Sequence, residues 1–221
     1  MRDLTQLNPA PPSLAEARRM QDAMCKMVNL AGDVDAAVRT VAGVDVGMVD
    51  KKTMRGAIVV LSFPQLTVTD CATAVRAAEF PYVPGFLSFR ELPVLLDALA
   101  KLQAKPDLVL CDGQGIAHPR RFGIACHFGV VTGIPAIGVA KSRLIGRFRE
   151  PGSEKGAATA LMHNNRRIGS VLRTRDGKKP LFVSPGHRVS HRAAVNFTLA
   201  CCTKYRLPET TRAAHRLAAS G

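Results

Sequence analysis

Three β-type runs joined by short turns constrain the fold of this chain more than any other feature of its sequence. The runs span residues 40–47, 56–62 and 66–75 and are rich in Val, Ile, Leu and Thr, a composition typical of strands. Polar turn residues such as Asp50 and Lys51 separate the first two. Because connections this short join antiparallel neighbours, the three runs are predicted to form an antiparallel meander.

Helical and strand-type runs surround this meander. A capping box at Ser13 and Glu16 predicts a helix before it that ends near Leu30. Asp176-Gly177 is a turn signal between two apolar runs and predicts a late hairpin. The predicted elements after the meander are a helix at 91–102, a strand at 107–112, a helix at 123–131, a strand at 134–139, hairpin strands at 168–173 and 181–184, and helices at 190–205 and 211–219.

This order of elements indicates the fold class. Three antiparallel strands followed by alternating helices and parallel strands is the order of a ribonuclease-H-like fold, an α/β fold whose mixed sheet is flanked by helices. No repeat, low-complexity segment or linker divides the sequence, so residues 1–221 are predicted to form one catalytic domain. The apolar runs are too short for a membrane span, and residues 1–6 lead into a Pro-rich stretch without a signal sequence. A cytoplasmic protein is expected.

The charge balance points to a polyanionic partner. Lys and Arg total 31 against 17 acidic residues, which gives a net charge of +14. Contacts between such side chains and phosphates release counterions and strengthen binding to nucleic acid. A soluble protein that is basic for other reasons is the alternative, and the charge does not distinguish an enzyme from a binding module.

Two aspartates lie where apolar strands would bring them to one edge of the sheet. Asp45 lies within the first run, where a buried charge is costly unless it is paired or binds a metal. Asp112 ends the strand at 107–112, directly before Gly113. If the first and fourth strands are neighbours, the two carboxylates meet and provide the oxygen ligands that Mg²⁺ prefers. The alternative is that both are ordinary strand-end residues that cap loops.

A loop stiffened by two prolines precedes a third carboxylate, Glu91. It displays Tyr82, Phe86 and Phe89 in a chain that has only two Tyr and no Trp. Such a concentration of aromatic residues favours stacking or wedging against bases, while packing beneath the loop is the alternative for the two phenylalanines. Taken alone, Glu91 is interpreted as a first-turn helix residue stabilised by the helix dipole.

Several segments together resemble the signature motifs of the endonuclease V (deoxyinosine 3′ endonuclease) family. Residues 81–91 read PYVPGFLSFRE and residues 112–123 read DGQGIAHPRRFG, the two longest matching blocks. The segments GVDVG at 43–47, GVAKS at 138–142 and VSPGH at 183–187 also match. Val83 stands where the family commonly has isoleucine. The blocks extend from about Val41 to His187, so the resemblance covers most of the chain.

The resemblance implies a ribonuclease-H-like nuclease that nicks the second phosphodiester bond 3′ to a deaminated base, usually hypoxanthine, and leaves 3′-hydroxyl and 5′-phosphate ends. It implies that Asp45, Glu91 and Asp112 bind Mg²⁺, with Mn²⁺ as a substitute. The remaining residues that the resemblance singles out are the strand-separating tip Pro81, Tyr82, Val83 and Pro84, the base pocket Gly85, Leu87, Gly113 and Gly138, the substrate contact His118, and the catalytic residues Lys141 and His215.

Alternatives remain for some of these roles. Lys141 is expected to face the phosphates near the metal, with an ordinary surface lysine as the alternative. His118 is interpreted as a substrate contact because Mg²⁺ prefers oxygen ligands. His215 is either a histidine near the metal or a solvent-facing helical histidine.

The functional alternatives also stay open at this point. The first interpretation is a monomeric DNA repair nuclease specific for deoxyinosine, with base flipping into the pocket. An inosine-specific ribonuclease is the second, because 2′-hydroxyl contacts do not follow from spacing. A nucleic-acid-binding module without catalysis is the third, and the presence of all three carboxylates argues against it.

Overall fold

A computed structural model of the chain describes residues 11–31, 34 and 38–220. The prediction about a signal sequence concerns residues 1–6, which lie outside this part. Every helix in the described part is too short or too polar to span a bilayer. The elements are α1 (Leu14–Cys25), β1 (Thr40–Met48), β2 (Thr53–Ser62), β3 (Val68–Ala77), α2 (Leu87–Leu99), β4 (Leu108–Cys111), α3 (Ile124–Thr132), β5 (Ala136–Ala140), β6 (Ala158–His163), β7 (Arg166–Leu172), β8 (Leu181–His187), α4 (His191–Ala200) and α5 (Glu209–Ala219).

The eight strands of the described residues form one mixed sheet in the order β3-β2-β1-β4-β5-β8-β7-β6. The first three strands pair antiparallel, as the short turns predict. β4 then pairs parallel with both β1 and β5, whereas β8 returns antiparallel to β5 and continues through β7 to β6. The predicted ribonuclease-H-like order of strands is confirmed.

Helices cover both faces of this sheet, and each face has its own apolar core. Because successive residues of a strand point to opposite faces, the neighbours Leu110 and Cys111 of β4 pack into different cores. Cys111 packs with residues of α2 and α3 such as Leu95 and Phe128. Leu110 packs on the other face with residues of α4 and α5, among them Phe197. The short strand β4 is therefore buried on both faces, which explains its continuous apolar run.

The first two helices differ in extent from the prediction. Ser13 caps α1 as predicted, since its hydroxyl accepts a hydrogen bond from the Glu16 N–H, but the helix ends at Cys25 and not near Leu30. The apolar residues that follow the helix have no regular secondary structure and pack beside Phe122. Apolar spacing alone does not distinguish such a segment from a continued helix. α2 starts four residues earlier than predicted, so Glu91 lies in its second turn and outside the region where the helix dipole is strongest.

The C-terminal half contains a strand that the sequence pattern did not predict. β6 forms a hairpin with β7 across Asn164 and Asn165, which both have positive φ, the conformation that asparagine tolerates in tight turns. The predicted hairpin across Gly177 is confirmed as β7 and β8. α4 ends at Ala200 and not at 205, and α5 begins two residues before its predicted start.

Candidate active site

Asp45 and Asp112 lie side by side because β1 and β4 are parallel neighbours. The last paired residues of the two strands are Val44 and Cys111, and each aspartate follows directly. Their side chains are 16% and 19% exposed, so both are mostly buried while still accessible from the sheet edge. The strand neighbourhood that would bring these carboxylates together is confirmed.

Glu91 reaches the same place from helix α2. All three carboxylates line one cavity of about 200 Å³, whose other walls include Val44, Leu95 and Ile124. Burial, and then the nearby negative charges of Asp45 and Asp112, raises the pKa of Glu91 from 4.5 to about 7. The cavity therefore concentrates negative charge that the surrounding apolar residues do not neutralise.

Two cationic or potentially cationic side chains contact the aspartates from outside this cavity. Lys141 directly follows β5, and its Nζ lies 2.5 Å from Oδ2 of Asp112. His215 lies on α5, and its Nδ1 lies 2.7 Å from Oδ2 of Asp45. Asp112, Lys141 and His215 line a second cavity of about 300 Å³ together with Arg212 and Arg216. The exposed fractions of Lys141 and His215 are 47% and 66%, so both side chains remain open to solvent.

The donor chemistry of the carboxylate cavity fits a hard divalent cation. Three carboxylates offer up to six oxygen atoms, the ligands of Mg²⁺ and Mn²⁺, and their mutual repulsion would be relieved by a cation. In the arrangement described for residues 11–31, 34 and 38–220, no group of three His, Cys, Asp or Glu side chains is already positioned to hold a metal ion. The two aspartates are engaged with Lys141 and His215 instead.

The proline-stiffened loop forms one wall of a third cavity, of about 330 Å³, that is also lined by two of the three carboxylates. Tyr82 lines this cavity and is 71% exposed. Glu91 and Asp112 are the two carboxylates that line it. The other lining residues from the predicted substrate set are Pro84, Gly85, Leu87, Gly113 and His118. One cavity thus connects the aromatic loop to the carboxylates.

Three residues of the predicted substrate set do not line this cavity. Pro81 and Val83 flank Tyr82 on the loop but are absent from the cavity wall. Gly138 lies inside β5, beneath the segment that follows β4. A Cβ atom at Gly138 would lie 2.2 Å from the backbone N of Gly115 and 2.7 Å from the Gly113 carbonyl oxygen. Glycine at this position therefore allows the segment at 113–115 to rest directly on β5.

His118 is a buried, neutral residue that lines the same cavity. Burial, reinforced by the positive charge of Arg120, lowers the pKa of His118 to about 4. Its ring hydrogen-bonds to the Gly85 backbone, and its Nδ1 accepts a hydrogen bond of 3.3 Å from the Arg120 N–H. A neutral imidazole held at both nitrogens supports the loop and does not serve as a cation at neutral pH.

Sequence reasoning missed several residues of this cavity. Gln114, Ser88 and Ser142 line it. The Gln114 side-chain amide donates a hydrogen bond of 3.2 Å to the Ser142 carbonyl, and its Oε1 is buried with no partner within the described residues. The signal for Gln114 was its position between two glycines after a buried strand, whereas Ser88 has no sequence signal apart from its proximity to Glu91.

The fold and the site together define a class of protein. A mixed sheet whose first and fourth strands bring two aspartates together, with a third carboxylate from a flanking helix, is the architecture of the ribonuclease-H-like proteins. Within that class, the family model "Endonuclease V" matches residues 22–216. The endonuclease V of Alkalilimnicola ehrlichii is 54% identical over 215 residues, which cover 97% of this chain and 95% of that protein. The chain belongs to the endonuclease V family.

Solved structures agree with this assignment. The crystal structure of endonuclease V from Streptomyces avermitilis has a TM-score of 0.90 and 46% sequence identity, and the match covers 95% of this chain and 92% of that one. Endonuclease V of Ciona intestinalis, in complex with a 24mer DNA containing an inosine followed by a ribo-adenosine, has a TM-score of 0.79 and 28% identity, with 93% and 95% covered.

Proposed function

We propose that this chain is a DNA repair endonuclease that hydrolyses the second phosphodiester bond 3′ to deoxyinosine and leaves 3′-hydroxyl and 5′-phosphate ends. The observation that supports this most directly is the cavity shared by the aromatic loop and the carboxylates, lined by Tyr82, His118, Glu91 and Asp112. A base bound under the loop would lie near the groups that act on the backbone of the same strand. The inosine-containing DNA bound by the Ciona intestinalis relative supports the choice of lesion.

Asp45, Glu91 and Asp112 would hold Mg²⁺, with Mn²⁺ able to substitute. When bound, the metal supplies charge stabilisation for the scissile phosphate and activates water for attack. Lys141 would contribute positive charge to the phosphate from its place beside Asp112. His215 would orient the Asp45 carboxylate through its 2.7 Å contact. These roles assign the chemistry to Asp45 of β1 and to the carboxyl end of the neighbouring strand β4.

The loop and the 330 Å³ cavity would select the base. Tyr82, with Pro81, Val83 and Pro84, would separate the strands while the lesion base turns out of the stack. Main-chain groups near Gly85, Leu87 and Gly113 would read its edge and accept the N1 proton that distinguishes hypoxanthine from adenine. His118 would contact the base or its sugar as a neutral group, and Gly138 would act indirectly by supporting the segment at 113–115.

The test uses three substrates: a duplex with one deoxyinosine, the RNA counterpart, and an undamaged duplex, each with Mg²⁺, Mn²⁺ or EDTA. We expect a single nick on the deoxyinosine strand that needs the metal and maps to the second bond 3′ of the lesion. No metal-dependent nick on any inosine strand would leave the non-catalytic binding module as the better interpretation.

One observation favours a second candidate, an inosine-specific ribonuclease. The DNA bound by the Ciona intestinalis relative contains a ribo-adenosine directly after the inosine. If this protein cuts the inosine-containing RNA faster than the deoxyinosine duplex, the inosine-specific ribonuclease becomes the better assignment. The same carboxylates would then have the same roles.

A further inference from the structure

The carbonyl oxygen of Gly85 anchors the loop that bears Tyr82 on the C-terminal side of its tip. Gly85 has a φ of +82°, a left-handed conformation that glycine adopts without strain. Its carbonyl accepts hydrogen bonds from Gln21 Nε2 at 3.2 Å and from an Arg120 terminal nitrogen at 2.7 Å. On the other side of Tyr82, the Phe80 carbonyl accepts a hydrogen bond of 2.7 Å from an Arg90 terminal nitrogen. Gly85 is therefore the anchor through which α1 and Arg120 hold the loop tip.

Gln21 comes from helix α1, far from the motifs of the active site in sequence. It is only 1% exposed, although polar side chains are rarely buried without a specific partner. Its amide nitrogen also donates to the Phe122 carbonyl at 2.8 Å, and its Oε1 accepts a hydrogen bond from Arg120 Nε. One side chain thus joins the aromatic loop to the segment that follows β4.

Arg120 completes this connection with a planar, forked group. One nitrogen of its guanidinium bonds to Gln21 and another to Gly85, while its Cζ lies 4.1 Å from the centre of the Phe86 ring. A lysine has no such fork and cannot make these three contacts together. An added Cβ at Gly85 would approach the Arg120 guanidinium to 2.9 Å, so the loop backbone and the arginine are already in close contact.

The apolar surroundings of this connection come from α1 on one side and from the loop and α2 on the other. Ala17, Phe80 and Phe89 form a small core against which Met20, Met24 and Phe86 pack. This core holds both ends of the loop, since Phe80 precedes it and Phe89 follows it. It does not define the orientation of Gly85 itself, because apolar contacts are not directional.

We propose that Gln21 and Arg120 are positioning residues that hold the Gly85 carbonyl, and through it the Tyr82 tip, rigidly enough to open a duplex at the lesion. The proposal rests on the proposed function. Opening a base pair and unstacking a base requires a few kcal/mol, so the separating element must resist displacement. Single-stranded substrate does not require this step.

The experiment compares cleavage of deoxyinosine in duplex and in single-stranded DNA under single-turnover conditions. Gln21→Met keeps the volume of the side chain and removes its hydrogen bonds, while Arg120→Lys keeps the charge and removes the fork. Met24→Ala is the matched control, because it weakens the packing of the same helix and leaves the amide contacts in place. Unfolding midpoints by circular dichroism show how far each variant is destabilised.

We expect the duplex to single-strand rate ratio to fall about tenfold in Gln21→Met and Arg120→Lys, the effect of losing one or two hydrogen bonds, and to stay near the wild-type value in Met24→Ala. An unchanged ratio in both positioning variants, or an equal fall in Met24→Ala, would overturn the proposal. If Gln21→Met does not fold, Arg120→Lys decides alone. Failure of the wild type to cut either substrate refutes the proposed function instead.

Discussion

Replacement of Glu91 by glutamine should make the protein more stable at neutral pH while it abolishes cleavage. Glu91 shares its cavity with Asp45 and Asp112, and burial together with these two charges raises its pKa to about 7. Glutamine has the same shape and remains neutral at all pH values. The substitution therefore removes a charge that the folded chain holds at a cost.

The magnitude follows from the difference between the folded and unfolded pKa. The folded chain binds the Glu91 proton more tightly than the unfolded chain, whose value is 4.5. Stability is therefore lost as the pH rises from about 4.5 to about 7, and the loss is complete above that range. A shift of about 2.5 pH units corresponds to about 3 kcal/mol. Partial exposure of Glu91 and solvent screening reduce this to about 2 kcal/mol.

The assay is urea unfolding of the wild type and Glu91→Gln in EDTA at several pH values between 4.5 and 8.5. Far-ultraviolet circular dichroism is the appropriate signal because the chain has no Trp and two Tyr. We expect nearly equal unfolding free energies at pH 4.5 and a gap of about 2 kcal/mol in favour of the variant at pH 8. Glu154→Gln, at an exposed glutamate, is the matched control and should produce no such pH-dependent gap.

A second measurement connects this gap to metal binding. Saturating Mg²⁺ should stabilise the wild type more than Glu91→Gln at pH 8, because the cation binds the folded state and relieves the repulsion among the carboxylates. A gap that is constant across pH, or a wild type that is the more stable protein at pH 8 in EDTA, would refute the electrostatic reasoning. Equal stabilisation of both proteins by Mg²⁺ would refute the role of Glu91 as a ligand.

Three further predictions concern catalysis and binding. Asp45→Asn should reduce the rate of single-turnover nicking at least about a thousandfold. The affinity for duplex DNA, measured by fluorescence anisotropy, should stay within about threefold of the wild-type value, since phosphate contacts supply most of it. Retained turnover would contradict the assignment of Asp45 as a metal carboxylate. Gly113→Val should slow deoxyinosine cleavage far more than it reduces Mg²⁺-dependent stabilisation, because Gly113 lines the 330 Å³ cavity and not the carboxylate cavity; equal losses would count against a base-reading role. The dissociation constant for duplex DNA should rise about a hundredfold or more between 50 and 200 mM salt. A dissociation constant that does not change with salt would be incompatible with binding driven by the net charge of +14.

The sheet and two of its carboxylates could be predicted from the sequence because local patterns determine them. Apolar runs and short turns predict the meander, and the placement of Asp45 within one run and Asp112 at the end of another predicts their meeting once β1 and β4 are neighbours. Strand β6 escaped prediction because its sequence, Ala158–His163, alternates weakly and includes polar residues at an exposed sheet edge. Its hairpin signal, Asn164-Asn165, lacks the glycine that usually marks such turns.

The contacts across the site could not be predicted in the same way. The pairing of Asp45 with His215 joins residues 170 positions apart, and it depends on how α5 packs on the sheet. The environment of Glu91 likewise depends on the start of α2 at Leu87, four residues before the predicted start. Gln21 has no distinguishing local pattern at all, since a glutamine on an amphipathic helix is expected on the solvent side. Only tertiary packing shows that it is buried.

The arrangement separates the two tasks of the site between different parts of the fold. Strand β1 positions Asp45 and the carboxyl end of β4 positions Asp112, and a buried sheet is the most rigid support available for them. The loop at 81–86 depends instead on α1 and Arg120. Loss of the Gly85 anchor should therefore impair cleavage of duplex DNA more than cleavage of single-stranded DNA, whereas loss of a carboxylate should impair hydrolysis on every substrate. A variant of Gln21 that lost activity equally on single-stranded and duplex substrate would show that the two parts are coupled.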